Sequence, residues 1–274
     1  MSNQQIQRRR VRAHHGEVAV RLQGDPTNPA IVMTHSILSS AAMWDEQAAL
    51  LADRGWYVVR VDSTGHGDSP APTTDTVTMD GLAADTVAVL DALAINQVHY
   101  VGLSLGGMSG FGLGIRHGAR CLSLVLCDAR ADAPPAVAAP WDERITLAEQ
   151  HGTCAPLAAP TVERWFGKAF VAANPAITER FQSIAAATSV RGFVGCARAI
   201  QGLDYLAGVA GIETPVSMIV GSNDGVLPDA MRALQQHIPD STLEMIPNAG
   251  HLPNIDQPAA FNAALLRHFE RFCN

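Results

Sequence analysis

One stretch decides the fold expected for this chain: Val98-His99-Tyr100-Val101-Gly102-Leu103-Ser104-Leu105-Gly106-Gly107. An apolar run typical of a strand leads into a glycine-serine-glycine pattern, and a segment with helical character follows. A serine placed there lies on a tight, strained turn that lifts its hydroxyl clear of the sheet. Gly102 and Gly106 leave room where side chains would collide with the neighbouring strand and helix. The alternative interpretation is that these glycines only pack a turn and that Ser104 caps the helix.

Strand-like and helix-like segments alternate on both sides of this turn. Continuous apolar runs typical of buried strands cover 30–34, 57–62, 121–127, 216–220 and 242–246, and the loosely alternating 15–23 predicts an edge strand. Helices are predicted over 42–54, 78–93, 229–237 and 258–272. This alternation predicts an α/β fold, with a mostly parallel sheet of about eight strands flanked by helices.

The segment 131–206 interrupts the alternation. It begins with proline-rich sequence, is helical in character and is poor in strands. We therefore expect a core domain of residues 1–130 and 207–274 with an inserted helical cap of residues 131–206. In the core, Gly106, Gly110 and Gly114 recur every four residues after Ser104. They share one helix face, and we expect that face to lie unusually close to the sheet.

Composition excludes several classes of function. The formal net charge of −7 and the lack of a long basic block argue against nucleic acid, and we interpret the Arg8–Arg12 cluster as a solvated arm. No apolar run approaches the ~20 residues of a membrane span, and no signal peptide is visible. The five cysteines match no metal motif and fit a reducing cytoplasm; Cys121 and Cys127 should be core residues. We expect no cofactor, no metal and no membrane partner. The five cysteines are Cys121, Cys127, Cys154, Cys196 and Cys273.

A nucleophilic serine needs a base, and the base needs an acid that orients it. His251 follows the last predicted strand and is the best base, because Ser104 emerges at the same carboxyl edge of the sheet. Asp224 follows the preceding strand and is the favoured acid, with Asp128 as its rival. The oxyanion hole should combine the backbone N–H groups of Leu105 and Ile37.

Other residues near the same edge are candidates for substrate binding rather than for chemistry. A substrate carboxylate would suit bidentate pairing with an arginine of the cap. For His35 and His66, loop-ordering hydrogen bonds are the more ordinary interpretation. The substrate-binding candidates are His35, Trp141, Arg144, Arg164, Trp165 and Arg198, with Arg191 as a further cap arginine.

With these residues in place, the chain resembles the α/β-hydrolase superfamily and, within it, the 3-oxoadipate enol-lactonase family. The resemblance rests on Thr34-His35-Ser36-Ile37, Met43-Trp44-Asp45, Gly65-His66-Gly67-Asp68-Ser69, Gly102–Met108, Leu124–Asp128, Arg164-Trp165-Phe166 and Ala249-Gly250-His251-Leu252. It implies Ser104 as nucleophile, Asp224 as acid and His251 as base, acting on a small lactone or ester in aromatic catabolism. The chain departs from the family at Thr64, where an arginine is usual, and at Leu38, where a glycine is usual.

The expected function is therefore hydrolysis of a small lactone or ester through an acyl-enzyme, by a monomer or homo-oligomer. One alternative is a hydrolase of the same fold that cleaves another ester or a carbon–carbon bond. The other is a ligand-binding protein that keeps the pocket with little turnover.

Overall fold

An eight-stranded sheet lies at the centre of the computed structural model, which describes residues 6–272. Its strand order is β1-β2-β4-β3-β5-β6-β7-β8. β2 is antiparallel to both β1 and β4, and the pairs from β4 through β8 are parallel. The predicted α/β fold with a mostly parallel sheet is confirmed. The strands are β1 (Gln7–Ala13), β2 (Gly16–Gln23), β3 (Ala30–Thr34), β4 (Tyr57–Val61), β5 (Val98–Leu103), β6 (Cys121–Cys127), β7 (Val216–Gly221) and β8 (Thr242–Ile246).

Helices flank this sheet, and β3 to β7 are buried along their whole length apart from Leu122 of β6, as their apolar runs predict. In residues 6–272, none of the helices is long and apolar enough to cross a membrane. The helices are α1 (Asp45–Ala52), α2 (Met79–Ala92), α3 (Leu105–His117), α4 (Pro135–Ala138), α5 (Pro140–His151), α6 (Ala155–Phe166), α7 (Lys168–Ala173), α8 (Pro175–Ala187), α9 (Val190–Gln201), α10 (Leu227–Gln235), α11 (Pro253–Asp256) and α12 (Pro258–Glu270).

The first strands correct two expectations. The Arg8–Arg10 cluster is not an arm but part of β1, and the predicted edge strand over 15–23 is β2, which pairs on both sides. Only Val11 of β1 is buried. A strand with nearly all of its residues exposed carries no apolar alternation, so its sequence lacks the signal on which strand prediction depends.

The glycine-rich face of α3 lies against the sheet, as predicted. A Cβ atom on Gly106 would lie 2.4 Å from Thr34 Oγ1, and one on Gly110 would lie 2.5 Å from Leu126 Cδ2. These separations are too short for any real side chain, so only glycine permits this approach. The glycines therefore fix how closely the helix after Ser104 sits on β3 and β6.

Six helices, α4 to α9, stand between β6 and β7 in the chain. Asp132 and Asp204 form an isolated antiparallel bridge, and the Tyr205 N–H donates to the Ala131 carbonyl at 2.7 Å. The two ends of this helical segment therefore lie side by side, which is the arrangement expected of one insertion. The division into a core and a cap at 131–206 stays a prediction. Cys121 and Cys127 are buried as expected, and Cys273 lies outside the described residues.

Candidate active site

Ser104 occupies the turn between β5 and α3 in a backbone conformation that few residues adopt. Its φ is 56° and its ψ is −114°, and such a conformation in a residue other than glycine costs about 1–3 kcal/mol. The Ser104 N–H donates to the Cys127 carbonyl at 2.9 Å, which ties the turn to β6. A Cβ atom on Gly102 would lie 2.3 Å from the Gly106 carbonyl oxygen, so the turn requires glycine there. The strained turn predicted at this position is present.

Tyr100 stabilises the turn through hydrogen bonds of its hydroxyl, a role that was not predicted from the sequence. Its hydroxyl donates to the Gly106 carbonyl at 2.6 Å and lies 2.6 Å from Thr34 Oγ1. Burial raises the pKa of Tyr100 to about 12, so the hydroxyl keeps its proton. Its ring fits because α3 has glycine at position 110, where a Cβ atom would lie 2.6 Å from the Tyr100 ring. The sequence feature that could have indicated this role is a tyrosine in a predicted buried strand that precedes a glycine-rich helix.

His251 and Asp224 form a buried pair. His251 Nδ1 lies 2.6 Å from Asp224 Oδ2, and both residues are at most 9% exposed. An ionised carboxylate can only accept, so the proton lies on Nδ1 and Nε2 carries the lone pair. Burial alone would raise the pKa of Asp224, but the attraction and hydrogen bond of His251, together with the charge of Arg164, lower it below its usual value. His251 Nε2 is buried and has no hydrogen-bond partner among the described residues.

The helical segment holds the loop that carries His251. The His251 N–H donates to the Trp165 carbonyl at 2.8 Å, and the Gly250 N–H donates to Asp256 Oδ2 at 2.6 Å. A Cβ atom on Gly250 would lie 2.2 Å from the same Trp165 oxygen. The end of α6 is therefore pressed against the backbone of this loop.

Ser104, Asp224 and His251 all follow carboxyl ends of parallel strands, namely those of β5, β7 and β8. The structure joins His251 to Asp224 directly, and it contains no hydrogen bond between Ser104 and His251, both of which are described. In resting enzymes such contacts are often long and tighten only when substrate binds. The arrangement supplies a hydroxyl on a strained turn and an imidazole nitrogen with a free lone pair.

Asp128, the rival acid, lies beside this pair. Ligand atoms of Asp128, Asp224 and His251 lie within 4.8 Å of one another, a spacing that invites comparison with a metal site. The 2.6 Å contact between His251 and Asp224 is, however, shorter than the roughly 3.3 Å that separates two tetrahedral zinc ligands. The contact is a hydrogen bond, and the arrangement fits proton chemistry better than metal binding.

The two predicted oxyanion donors lie on adjoining segments. The Gly106 N–H donates to the His35 carbonyl at 3.1 Å, which joins the start of α3 to the loop that carries Ile37. Among the described residues, the N–H groups of Ile37 and Leu105 donate to no backbone carbonyl of a turn, loop or cap. Leu38 is buried with a φ of 62°. The loop therefore holds a left-handed residue there, a conformation that glycine adopts without strain.

Both ring nitrogens of His35 are hydrogen-bonded to the loops around the site. Its Nδ1 donates to the Ser36 carbonyl at 2.8 Å, and its Nε2 accepts the Ser63 N–H at 2.9 Å. Burial lowers the pKa of His35 to about 4 and that of His66 to about 3, so both rings are neutral at pH 7. With both nitrogens engaged, His35 orders these loops and has no nitrogen free for a substrate.

The arginines predicted for the cap fall into two groups. Arg164 is in the last turn of α6 and forms no salt bridge within residues 6–272. Burial of its guanidinium lowers the pKa of Arg164, the charge of Asp224 opposes this shift, and the nearby charge of Arg144 adds to it. Arg191 and Arg198 instead line a cavity of about 480 Å³ whose lining includes none of the three proposed catalytic side chains.

The two predicted tryptophans have different surroundings. Trp141 is on α5, where the Arg144 guanidinium lies 4.8 Å from its ring centroid. Trp165 is fully buried, and its ring packs against Phe166 and Phe181. Trp165 therefore contacts the site through its backbone carbonyl, whereas Trp141 positions an arginine.

Comparisons with known proteins identify the family and the fold. The family model described as alpha/beta hydrolase fold matches residues 29–258. The 3-oxoadipate enol-lactonase 2 of Acinetobacter baylyi is 32% identical over 250 residues, which are 91% of each chain. Among solved structures, a hydrolase from Pseudomonas aeruginosa has a TM-score of 0.89 at 33% identity, covering 95% of this chain and 97% of that one. The enol-lactonase from Burkholderia xenovorans has a TM-score of 0.88 at 28% identity, covering 94% and 98%.

Proposed function

Because the chain belongs to the alpha/beta hydrolase family and is a hydrolase, we propose that it cleaves a small lactone or ester, with an enol-lactone like that of 3-oxoadipate as the substrate. Ser104 is the nucleophile, His251 the base and Asp224 the orienting acid. The observation that carries the proposal is the Asp224–His251 pair, whose Nε2 is unpartnered at the sheet edge where Ser104 lies on its strained turn. The names of two similar proteins, from Acinetobacter baylyi and Burkholderia xenovorans, support the choice of substrate.

The first half of the reaction forms the acyl-enzyme. Ser104 Oγ attacks the carbonyl carbon while its proton moves to His251 Nε2, and Asp224 stabilises the imidazolium through Nδ1. The N–H groups of Ile37 and Leu105 bind the oxyanion, and each such donor lowers the barrier by about 3–4 kcal/mol. The bond between the carbonyl carbon and the ring oxygen then breaks. In an enol-lactone this oxygen leaves as an enolate, which then takes the proton from His251 Nε2, so that the imidazole is neutral again before water attacks.

The second half releases the product. A water molecule attacks the ester carbonyl of the acyl-enzyme and gives its proton to His251 Nε2, and the same two N–H groups bind the second oxyanion. The bond to Ser104 Oγ breaks, and the proton on Nε2 returns to that oxygen. The product leaves as a carboxylic acid that ionises at neutral pH.

Arg164 leads us to expect that the enzyme prefers anionic substrates. Its guanidinium forms no salt bridge with the described part of the chain, lies close enough to Asp224 for that charge to affect its pKa, and is on the residue next to Trp165, whose carbonyl accepts the His251 N–H. Arg144 lies near enough to affect its pKa. A free guanidinium beside the catalytic histidine suits a substrate that carries a carboxylate away from its lactone ring. In this proposal residues 131–206 form the cap that supplies this contact.

The nucleophile is tested with Ser104→Ala. We expect the variant to fold normally and to lose about 10⁴- to 10⁶-fold in kcat on the lactone, with no labelling by a fluorophosphonate probe. Ser183→Ala, which changes an exposed serine of α8, is the matched control and should behave as wild type. Turnover retained in Ser104→Ala would refute the assignment.

The anionic substrate is tested with Arg164→Ala. Loss of one charge-assisted contact should raise KM about 10- to 100-fold for a carboxylate-bearing enol-lactone and leave a neutral aryl acetate nearly unaffected. Arg198→Ala, on the other cavity, is the control and should change neither. Equal losses on both substrates would argue against a carboxylate contact.

The same assays separate the alternatives. A higher kcat/KM for simple aryl esters, or for a carbon–carbon bond next to a carbonyl, would favour a different hydrolase of this fold. Tight binding of the lactone without turnover, together with an unlabelled Ser104, would favour a ligand-binding protein. The cytoplasmic location and the oligomeric state stay predictions.

A further inference from the structure

The backbone N–H and one carboxylate oxygen of Asp128 are both hydrogen-bonded to β7. It follows β6 with a φ of 44°, a left-handed conformation, and its N–H donates to the Ile219 carbonyl at 2.9 Å. Its Oδ1 accepts the Gly221 N–H at 2.9 Å. Both contacts are to β7, the strand that leads to Asp224. The side chain is therefore fixed at one end and presents its other oxygen to the buried site.

That other oxygen, Oδ2, is buried and receives a hydrogen bond from none of the described residues. A carboxylate oxygen of Asp128, one of Asp224 and a ring nitrogen of His251 lie within 4.8 Å of one another. An ionised Asp128 would leave a negative charge without a donor, beside a second carboxylate, and burying such a charge costs several kcal/mol. A protonated Asp128 has an O–H group and a carboxylate within reach to accept it.

The electrostatics of the neighbourhood agree with this arrangement. Burial, and then the charge of Asp224, raise the pKa of Asp128 well above its usual range. Burial alone would raise the pKa of Asp224, but the charge and hydrogen bond of His251, the charge of Arg164 and the adjoining Asp128 carboxyl lower it. The other titratable neighbours are the Cys127 thiol, whose pKa burial raises far above normal, and Arg164. Two adjoining carboxyl groups whose pKa values are pushed apart are expected to share one proton.

We propose that Asp128 is a positioning residue that stays a neutral carboxylic acid, with its Oδ2–H donating to the Asp224 carboxylate and its Oδ1 accepting the Gly221 N–H. This inference rests on the proposed function, because it assigns Asp128 a role in orienting the acid of that site. Asp224 then cannot rotate away from His251 Nδ1, and the buried site keeps a single negative charge. Asp128 is not the acid itself, since the 2.6 Å contact of His251 is with Asp224.

Replacement by asparagine tests the donor. Asn keeps an oxygen for the Gly221 N–H, offers an N–H to Asp224, and tolerates a left-handed backbone as well as aspartate does. We expect Asp128→Asn to hold kcat and KM within about fivefold of wild type. Asp128→Leu has no donor and should lower kcat about 10- to 100-fold with little change in KM. The matched reference is Asp224→Asn, which should lose about 10⁴-fold in kcat.

An infrared measurement keeps the test decisive if the leucine variant does not fold. The difference spectrum of wild type and Asp128→Asn should contain the carbonyl stretch of a protonated carboxylic acid, present in wild type at pH 7 and lost in the variant. Absence of that band would overturn the proposal, as would a loss in Asp128→Asn as large as in Asp224→Asn. Fluorophosphonate labelling of Ser104 in the wild-type enzyme tests the proposed function independently, so the two failures are distinguishable.

Discussion

Lowering the pH from 7 to 5 should destabilise this fold through histidines that the active site does not use. A chain of buried hydrogen bonds crosses the sheet: His99 Nδ1 to Ser123 Oγ at 2.7 Å, Ser123 Oγ to His268 Nε2 at 2.7 Å, and His268 Nδ1 to Ser217 Oγ at 2.8 Å. Thr242 continues it with a 3.0 Å bond to Ser217. Hydroxyl groups can donate to or accept from a neutral imidazole, but no carboxylate is part of the chain to stabilise an imidazolium.

The size of the effect follows from the depressed pKa values. Burial lowers the pKa of His99 to about 4 and that of His268 to about 3, and His35 and His66 are lowered to about 4 and about 3. Below pH 6.5 the unfolded chain binds protons that the folded chain does not, so stability is fully present above that pH. It is lost as the pH falls towards the folded values. At pH 5 each histidine costs about 2 kcal/mol, and the four together about 8 kcal/mol.

Two carboxyl groups oppose part of this loss. Burial raises the pKa of Asp62 and Asp256, so the folded chain takes up their protons before the unfolded chain does. The net loss by pH 5 is therefore several kcal/mol rather than the full sum. Domains of this kind have a total stability of about 5–15 kcal/mol, so acid unfolding should begin near pH 5.

Urea unfolding at pH 7, 6 and 5 measures the slope directly. His268→Gln should reduce the loss between pH 7 and 5 by about 2 kcal/mol, because one proton-binding group has been removed from the unfolded chain. His237→Gln, which replaces an exposed histidine of the chain, is the control and should keep the wild-type slope. A free energy of unfolding that stays within about 1 kcal/mol from pH 7 to pH 5 would refute the reasoning.

Two further predictions concern glycines that set close contacts. Gly110→Ala should lower the free energy of unfolding by about 1–3 kcal/mol, because its Cβ would lie 2.6 Å from the Tyr100 ring; Gly211→Ala, which has open space around it, should be nearly neutral in the same thermal melts. Gly250→Ala would place a Cβ 2.2 Å from the Trp165 carbonyl oxygen and break the contact that holds the His251 loop. It should lower kcat about 10- to 100-fold while the far-UV spectrum stays native, and wild-type kinetics would contradict this role for the α6 contact.

The sequence predicted most of the core because β3, β5 and β6 are predominantly apolar runs ended by loops, which is a strong local signal. The strained turn at Ser104 was predictable for the same reason, since glycine requirements are local. The hydrogen bond of His251 to the Trp165 carbonyl was not predictable, because a backbone acceptor far along the chain leaves no mark in composition. The choice of Asp224 over Asp128 as the partner of His251 likewise depends on a distance between two loops.

The buried hydrogen-bond network and the candidate site lie at opposite ends of the same four strands. His99, Ser123, Ser217 and Thr242 lie at or near the amino ends of β5, β6, β7 and β8, and the proposed catalytic and positioning residues follow their carboxyl ends. Parallel strands align these ends, and the register places His99 opposite Ser123 and Ser217 opposite Thr242. Polar residues that begin otherwise apolar parallel strands should therefore meet one another, as those that follow the strands do. The buried hydrogen-bond network contains His99 and His268, whereas the candidate site contains His251. His268→Gln should therefore change acid stability while leaving kcat at pH 7 unaffected.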